Sequence, residues 1–205
     1  MQVVGKLSRE QTVKRVQKQL IGFESEPQTA TLCVANMILR GDGKTGVHQG
    51  NCFSDPDYPI DKADVVLMNP PFPHKKTDTP TEKFVDRALE GLHRRGVLAT
   101  IIPQGILVKR QSLKWRQAML RENTLEAVLM LPDELFQPNA AANTAILVLR
   151  KGIAHKADHA TFFGRIENDG FGLRKGVRLP IDGSQLPLVL DKFERNETAL
   201  GVCGT

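Results

Sequence analysis

Apolar residues along the chain fall into two alternating patterns. Short unbroken runs such as Val65-Val66-Leu67-Met68 read as strands, and segments with apolar positions three to four residues apart read as helices. Leu20 to Glu24 is the first strand candidate. Glu26-Pro27 then opens a helix whose apolar face is Thr31, Val34, Ala35, Ile38 and Leu39. Gly41-Asp42-Gly43 stops it, and Val47-His48-Gln49 reads as a short strand. The run 64–68 is unbroken enough to predict a strand buried on both faces. A helix beginning at or beside Thr81 carries Phe84, Val85, Ala88, Leu89 and Leu92 at helical spacing, and His93-Arg94-Arg95-Gly96 reads as its end. Further strands follow at Val97–Pro103, Thr124–Leu131 and Ala145–Leu149, with a helix over Ser112–Arg121. This alternation predicts an α/β fold with a mostly parallel sheet and helices on both faces.

The two ends read differently. Residues 7–19 are polar, with Leu7, Val13 and Val16 on one face of an expected helix. Beyond Gly152 the pattern weakens to an edge strand at Thr161–Ile166, a basic glycine-rich loop from Gly170 to Arg178 and a short helix at Leu186–Phe193, before an end expected to fray. The expected organisation is an N-terminal segment 1–19, a central domain 20–152 and an extension 153–205.

Composition narrows the picture modestly. Hydrophobic residues make up 40% of the 205 positions but aromatics only 5%, so aliphatic packing must form the core. The net charge of +5 suits a polyanionic partner without identifying one. Cys33, Cys52 and Cys203 are odd in number and lack metal-type spacing, which fits a reducing compartment; His155 and His159 read as solvated rather than as ligands, and no metal is expected. No apolar run reaches membrane length and the charged start is unlike a signal peptide, so a cytoplasmic location is expected.

One glycine pattern is a decoy. Gly41-Asp42-Gly43-Lys44-Thr45-Gly46 fits G-x-G-x-x-G, but the phosphate-binding version follows a strand and opens a helix. Here the order is reversed, which leaves a helix stop and turn. The stronger chemistry follows the run 64–68, where Asn69-Pro70-Pro71-Phe72 leaves the sheet. Two prolines fix φ, remove two donors and push each preceding residue out of the helical region. The product is a stiff ledge of carbonyl acceptors, one side-chain amide and one ring, at the strand end where open α/β sheets bind ligands.

Asn-Pro-Pro-Phe after a hydrophobic strand resembles the catalytic motif of adenine-specific DNA N6-methyltransferases, and the flanking pieces extend the likeness. They are Gly22-Phe23-Glu24 before a helix, Gly50-Asn51-Cys52-Phe53, Ile102-Pro103-Gln104-Gly105, Leu131-Pro132-Asp133-Glu134-Leu135-Phe136 and Asn143-Thr144-Ala145-Ile146. Ile166-Glu167-Asn168-Asp169-Gly170-Phe171-Gly172 also looks like a stretch that follows the domain in such proteins. Together they cover roughly three quarters of the chain and resemble most the modification subunit of type I restriction-modification systems. The implied fold is the Rossmann-like, S-adenosylmethionine-dependent methyltransferase fold. One departure stands out: the family's first strand and its glycine-rich cofactor loop have no counterpart before Leu20. The chain therefore looks like a fragment, expected to be inactive or weak alone, with two unpaired strand edges where the missing strand would lie.

The resemblance implies roles residue by residue. The Asn69 side-chain oxygen and the Pro70 carbonyl would accept hydrogen bonds from the two amine N–H groups of adenine, Pro71 would stiffen the ledge, and Phe72 would stack on the flipped base. Glu24 would take the ribose hydroxyls of S-adenosylmethionine, with Glu26 as a nearby competitor. Asn51 stands where many relatives carry an acid that reads the cofactor's adenine amine, and Phe53 would flank that ring, core packing being the open alternative. Implied partners are DNA, a specificity subunit and, as an open question, a restriction subunit; no membrane partner is expected, and an oligomer is open. Two other readings stay open: a non-catalytic subunit or DNA-binding module derived from such an enzyme, and methylation of RNA or of a protein glutamine amide.

Overall fold

A computed structural model describes Gln11, Lys14 and residues 19–41, 46–137 and 142–205. The helix expected over 7–19 lies almost wholly outside the described residues, as do positions 42–45 of the glycine turn. The chain parts into two compact units, residues 1–58 and 59–205.

The smaller unit holds strand β1 (Gly22–Glu24), helix α1 (Pro27–Leu39) and strand β2 (Val47–Gln49). β1 and β2 form a two-stranded parallel sheet with Glu24 opposite Gln49. α1 starts where the sequence places it. Pro27 sits in the first turn, where a missing N–H costs nothing, and the Glu26 side chain accepts the Thr29 amide at 2.5 Å. That bond, then a weaker one from the Gln28 amide, holds the Glu26 carboxyl below the usual carboxylate range. The helix stops with the Arg40 and Gly41 amides donating to Asn36 and Ile38. Only Ala30 of α1 is buried.

The larger unit is built on a six-stranded sheet in the order β10-β7-β5-β6-β4-β3. Its strands are β3 (Ala63–Met68), β4 (Leu92–Pro103), β5 (Thr124–Met130), β6 (Thr144–Arg150), β7 (Phe162–Arg165) and β10 (Cys203–Gly204). Four of the six (β3, β4, β5 and β7) run one way, and β6 and β10 oppose them. Alternation along β5 separates the two faces. Val128 points into a core with Leu98, Ile102 and Leu147, covered by α2 (Thr81–Gly91) and α4 (Leu113–Glu122). Ala127 and Leu129 point the other way, towards Phe162, Ile166 and Val189 of α5 (Leu186–Arg195). Helices therefore cover both faces, as expected. A short helix α3 (Gln104–Val108) follows β4 directly, which the periodicity does not announce.

Several local readings are corrected. β3 is not buried on both faces: Val65 is 58% and Leu67 79% exposed, while Val66 and Met68 pack against the core. The cause is position, for β3 ends its sheet and α2 covers one side. His93 to Gly96 do not end a helix. α2 stops at Gly91, and the Arg95 and Lys151 amides exchange bonds with Lys151 and Gly96 carbonyls at 2.9 Å each, drawing the segment into β4. Arg95 takes φ 75° at that bulge. β7 is interior because Cys203 and Gly204 pair outside it, so the C-terminus is a strand and Cys203 is buried. The glycine-rich loop is a β-hairpin of β8 (Phe171–Arg174) and β9 (Val177–Pro180). His155 and His159 are half-buried: His155 Nδ1 accepts the Leu125 amide at 3.3 Å, and His159 Nε2 lies 3.3 Å from a Glu126 carboxylate oxygen.

Candidate active site

Because β3, β4, β5 and β7 run one way, the segments that follow them leave the sheet at one end. These are the Asn69–Phe72 ledge, α3, the turn 131–137 and the approach to the β8–β9 hairpin. Asn69 is exposed, Pro70 is buried, Pro71 is exposed and Phe72 is half-buried. A ledge with a seated proline and an outward amide is the arrangement expected from chain stiffness. The stretch beyond it is ordered by Asp78, whose carboxylate accepts the His74 and Lys75 amides at 2.8 Å each. Those amides, Lys75 foremost, hold its carboxyl below the usual range. The polar run 74–81 is thus a closed turn.

The Phe72 ring meets Phe136 edge-on, with centroids 6.1 Å apart and planes at 89°. Phe136 belongs to the turn after β5, in which the Leu135 amide bonds to Pro132. A second aromatic therefore orients the ring expected to stack on a base. The pattern singled out the segment Leu131–Phe136 without giving Phe136 a role. Nor did it point to Arg178, whose guanidinium donates to the Leu135 carbonyl at 3.2 Å and to Asp169 at 2.5 Å. No periodicity signals contacts between segments that far apart.

In the smaller unit, Glu24, Asn51 and Phe53 come together at one edge. β1 and β2 are parallel, so both release their chains on the same side, and the Gly50 amide bonds to the Glu24 carbonyl at 3.0 Å. The Glu24 carboxylate accepts the Glu26 amide at 2.8 Å, which uses one of its two oxygens and aims the group beyond the strand. Glu26 is the helix cap, so the two acids divide their tasks. The Asn51 side-chain oxygen accepts the Phe53 amide at 3.0 Å, an Asx turn that presents Phe53 at 37% exposure. Next to this edge Phe23 stacks on His48 at 5.0 Å.

An apolar cavity of about 590 Å³ lies elsewhere in the larger unit, lined by Trp115, Met119, Val128, Leu147 and Phe163 among others, and by none of the ledge residues. Its polar liners are engaged: Arg116 donates to the Ile106 and Lys109 carbonyls and Gln104 to Thr144. A cavity without free convergent polar groups suits packing better than reagent binding. Among the described residues no helix is long and apolar enough to cross a membrane.

Comparison with known proteins agrees with this fold. The sequence profile of the family described as N-6 DNA methylase matches residues 2–179. The chain is 33% identical over 180 residues to the type II restriction enzyme and methyltransferase RM.BcgI of Heyndrickxia coagulans, a match covering 82% of this chain and 28% of that protein. Its fold resembles the methyltransferase subunit of a type I restriction-modification system from Streptococcus thermophilus, at TM-score 0.71, 22% identity and coverage of 89% of this chain and 43% of that one. A class I S-adenosylmethionine-dependent methyltransferase from Listeria monocytogenes aligns at TM-score 0.60 and 17% identity, covering 84% and 54%. The fold is thus that of S-adenosylmethionine-dependent methyltransferases, and the chain spans under a third of the curated relative it matches. With a profile match over most of its length, this chain belongs to the N-6 DNA methylase family.

Proposed function

We propose that the chain supplies the target-base ledge and the nucleoside-binding edge of a DNA adenine N6-methyltransferase of the type I modification-subunit kind. The observation that carries this reading is the ledge itself: an outward Asn69 amide, a seated Pro70 and a Phe72 ring braced edge-on by Phe136. The exocyclic amine of adenine is a weak nucleophile because its lone pair is conjugated into the ring. The Asn69 side-chain oxygen and the Pro70 carbonyl accept hydrogen bonds from its two N–H groups, which favours a pyramidal nitrogen and frees the lone pair. Pro71 keeps those acceptors in place, and Phe72 stacks on the base once it leaves the duplex. No side chain with a shifted pKa is needed; the gain is positional and electrostatic.

The residues of the smaller unit fit S-adenosylmethionine by their donor and acceptor set. Glu24, held past a strand by one oxygen, suits a ribose diol; Asn51 suits an adenine edge; the half-exposed Phe53 ring suits an adenine face. When bound, that cofactor supplies an electrophilic methyl group. The partners of this reading are duplex DNA, a specificity subunit that chooses the sequence and, in some assemblies, a restriction subunit. The cytoplasm is the compartment this reading requires.

Transfer of a radiolabelled methyl group to adenine tests the proposal, using the chain alone and reconstituted with a specificity subunit. Asn69→Ala is expected to lower transfer about 100-fold or more, as loss of a positioned acceptor does. Transfer by Asn69→Ala at the unsubstituted rate would overturn the reading. Calorimetric titration with S-adenosylmethionine tests the other half, and binding unaffected by Glu24→Ala would remove that residue from the site.

A further inference from the structure

Twelve consecutive residues, Gly170 to Ile181, contain three cations and no acid. They fold as the β8–β9 ribbon, which joins neither of the other sheets. Its register pairs Leu173 with Arg178 and Arg174 with Val177, and Lys175 and Gly176 at the tip take φ 49° and 78°. A turn with both central residues left-handed matches the twist of a two-residue hairpin, which explains the glycine. Of the three cations, one points inward. Arg178 is 17% exposed, pairs with Asp169 at 2.5 Å and donates to the Leu135 and Phe171 carbonyls, with its guanidinium 5.6 Å over the Phe171 ring. The other two, Arg174 and Lys175, are exposed and enter no ion pair with another described residue. Val177 and Leu179 are exposed beside them.

We infer that the β8–β9 ribbon grips the phosphate backbone of duplex DNA, with Arg174 and Lys175 as the contacts. The inference rests on the reading of the ledge as a site for a DNA base. Two features select the partner. A ribbon tip that presents two unpaired cations and no acid of its own recognises an anion, and arginine and lysine there suit phosphate oxygens. The ribbon is also tied to the ledge through the turn after β5: Arg178 holds the Leu135 carbonyl, and the next residue, Phe136, braces Phe72. With a rise of about 3.4 Å per residue, the tip stands roughly 10 Å from Phe171. The width of a major groove, about 12 Å, is of that order. A polyanion that delivers a base to Phe72 therefore passes a rigidly mounted basic ribbon. An enzyme that extracts a base must hold the flanking backbone while the stack is broken.

Fluorescence anisotropy of a labelled random-sequence duplex, titrated with the full chain across a salt series and without cofactor, tests this. In Arg174→Ala/Lys175→Ala the slope of log affinity against log salt is expected to shrink by about 1.8, the value for two lost phosphate contacts, with affinity at least about tenfold weaker. The control Lys62→Ala/Lys156→Ala removes the same charge from other exposed sites and is expected to keep the original slope. Thermal denaturation of both variants should match the unsubstituted chain, since tip residues pack against nothing. A slope unchanged in the tip variant, or equally reduced in the control, would overturn the grip. So would absence of duplex binding by the unsubstituted chain at low salt. A tip variant that binds duplex normally but no longer captures a specificity subunit would assign the ribbon to a protein contact and also overturn it. The two readings separate cleanly. A silent methyl-transfer assay with an intact tip effect on duplex binding would refute only the enzyme reading. Normal transfer with no tip effect would refute only the grip.

Discussion

The two units solve the problem of presenting reactive groups in opposite ways. The larger one mounts its ledge on the six-residue end strand β3, backed by the twelve-residue β4, in a unit where Leu98, Ile102, Leu147 and Leu149 are at most 1% exposed. The smaller one presents Glu24 and Asn51 from two strands of three residues each, and Ala30 is its one buried hydrophobic residue among those described. A deep aliphatic core makes the position of Asn69 a property of the whole sheet. The edge that carries Glu24 is positioned by local bonds instead: a capped helix, an Asx turn and one amide from Gly50. Two-stranded sheets of that size are marginal by themselves. What the comparison teaches is that rigidity is invested on the side of the Asn69–Phe72 ledge.

Amide hydrogen exchange should show the largest contrast. Amides in the middle of β4 and β6 are expected to exchange at least about a thousand-fold more slowly than those of β1 and β2, because their opening requires unfolding of the main core. Comparable protection in both sheets would break the comparison. Next in size, Leu147→Ala should lower the unfolding free energy of the larger unit by about 2–5 kcal/mol, the cost of a cavity at a site with little room to relax. Ala30→Gly should cost about 1 kcal/mol through helix propensity and leave that transition where it was. Chemical denaturation followed by probes in each unit checks both; a shared shift for either variant would mean that the units unfold together.

The smallest effects come from two exposed titrating groups with opposite signs. Glu26, held low by the Thr29 amide, contributes stability above its ordinary value of 4.5, and the contribution disappears as pH falls through its lowered folded value. Helicity of α1 should therefore decline on acidification. His93 is held high, first by the Arg94 carbonyl at 2.5 Å and then by Asp64 at 2.8 Å. Its contribution is complete below the ordinary histidine value of 6.5 and is lost as pH rises through the raised folded value. An NMR titration should place its midpoint above 6.5, and Asp64→Asn should lower the midpoint without abolishing the shift. A midpoint at or below the ordinary value would show that the carbonyl bond does not form in solution.

Sequence alone determined the alternation of strands and helices, the start of α1 at Glu26-Pro27, the rejection of the glycine decoy and the ledge at Asn69–Phe72. Each rests on local chemistry: a proline that fixes φ, a cap three residues from its amide, a period of 3.6. It also placed Glu24 at the end of one strand and Asn51 after the next, which is enough to bring them to one edge once those strands pair in parallel. Tertiary structure decided the rest. Whether Val65 and Leu67 are buried depends on what lies beside β3, and an apolar run is the same in an end strand and a central one. The cations of His93–Gly96 read as a helix end until Lys151, just past β6, claims their backbone. Phe136 and Arg178 gain their meaning from contacts with Phe72 and Leu135, separated from them by dozens of residues. Local preference fixes what each segment can become, but the partner across the sheet decides which preference wins, because backbone bonds and buried area outweigh the few tenths of a kcal/mol that separate local alternatives.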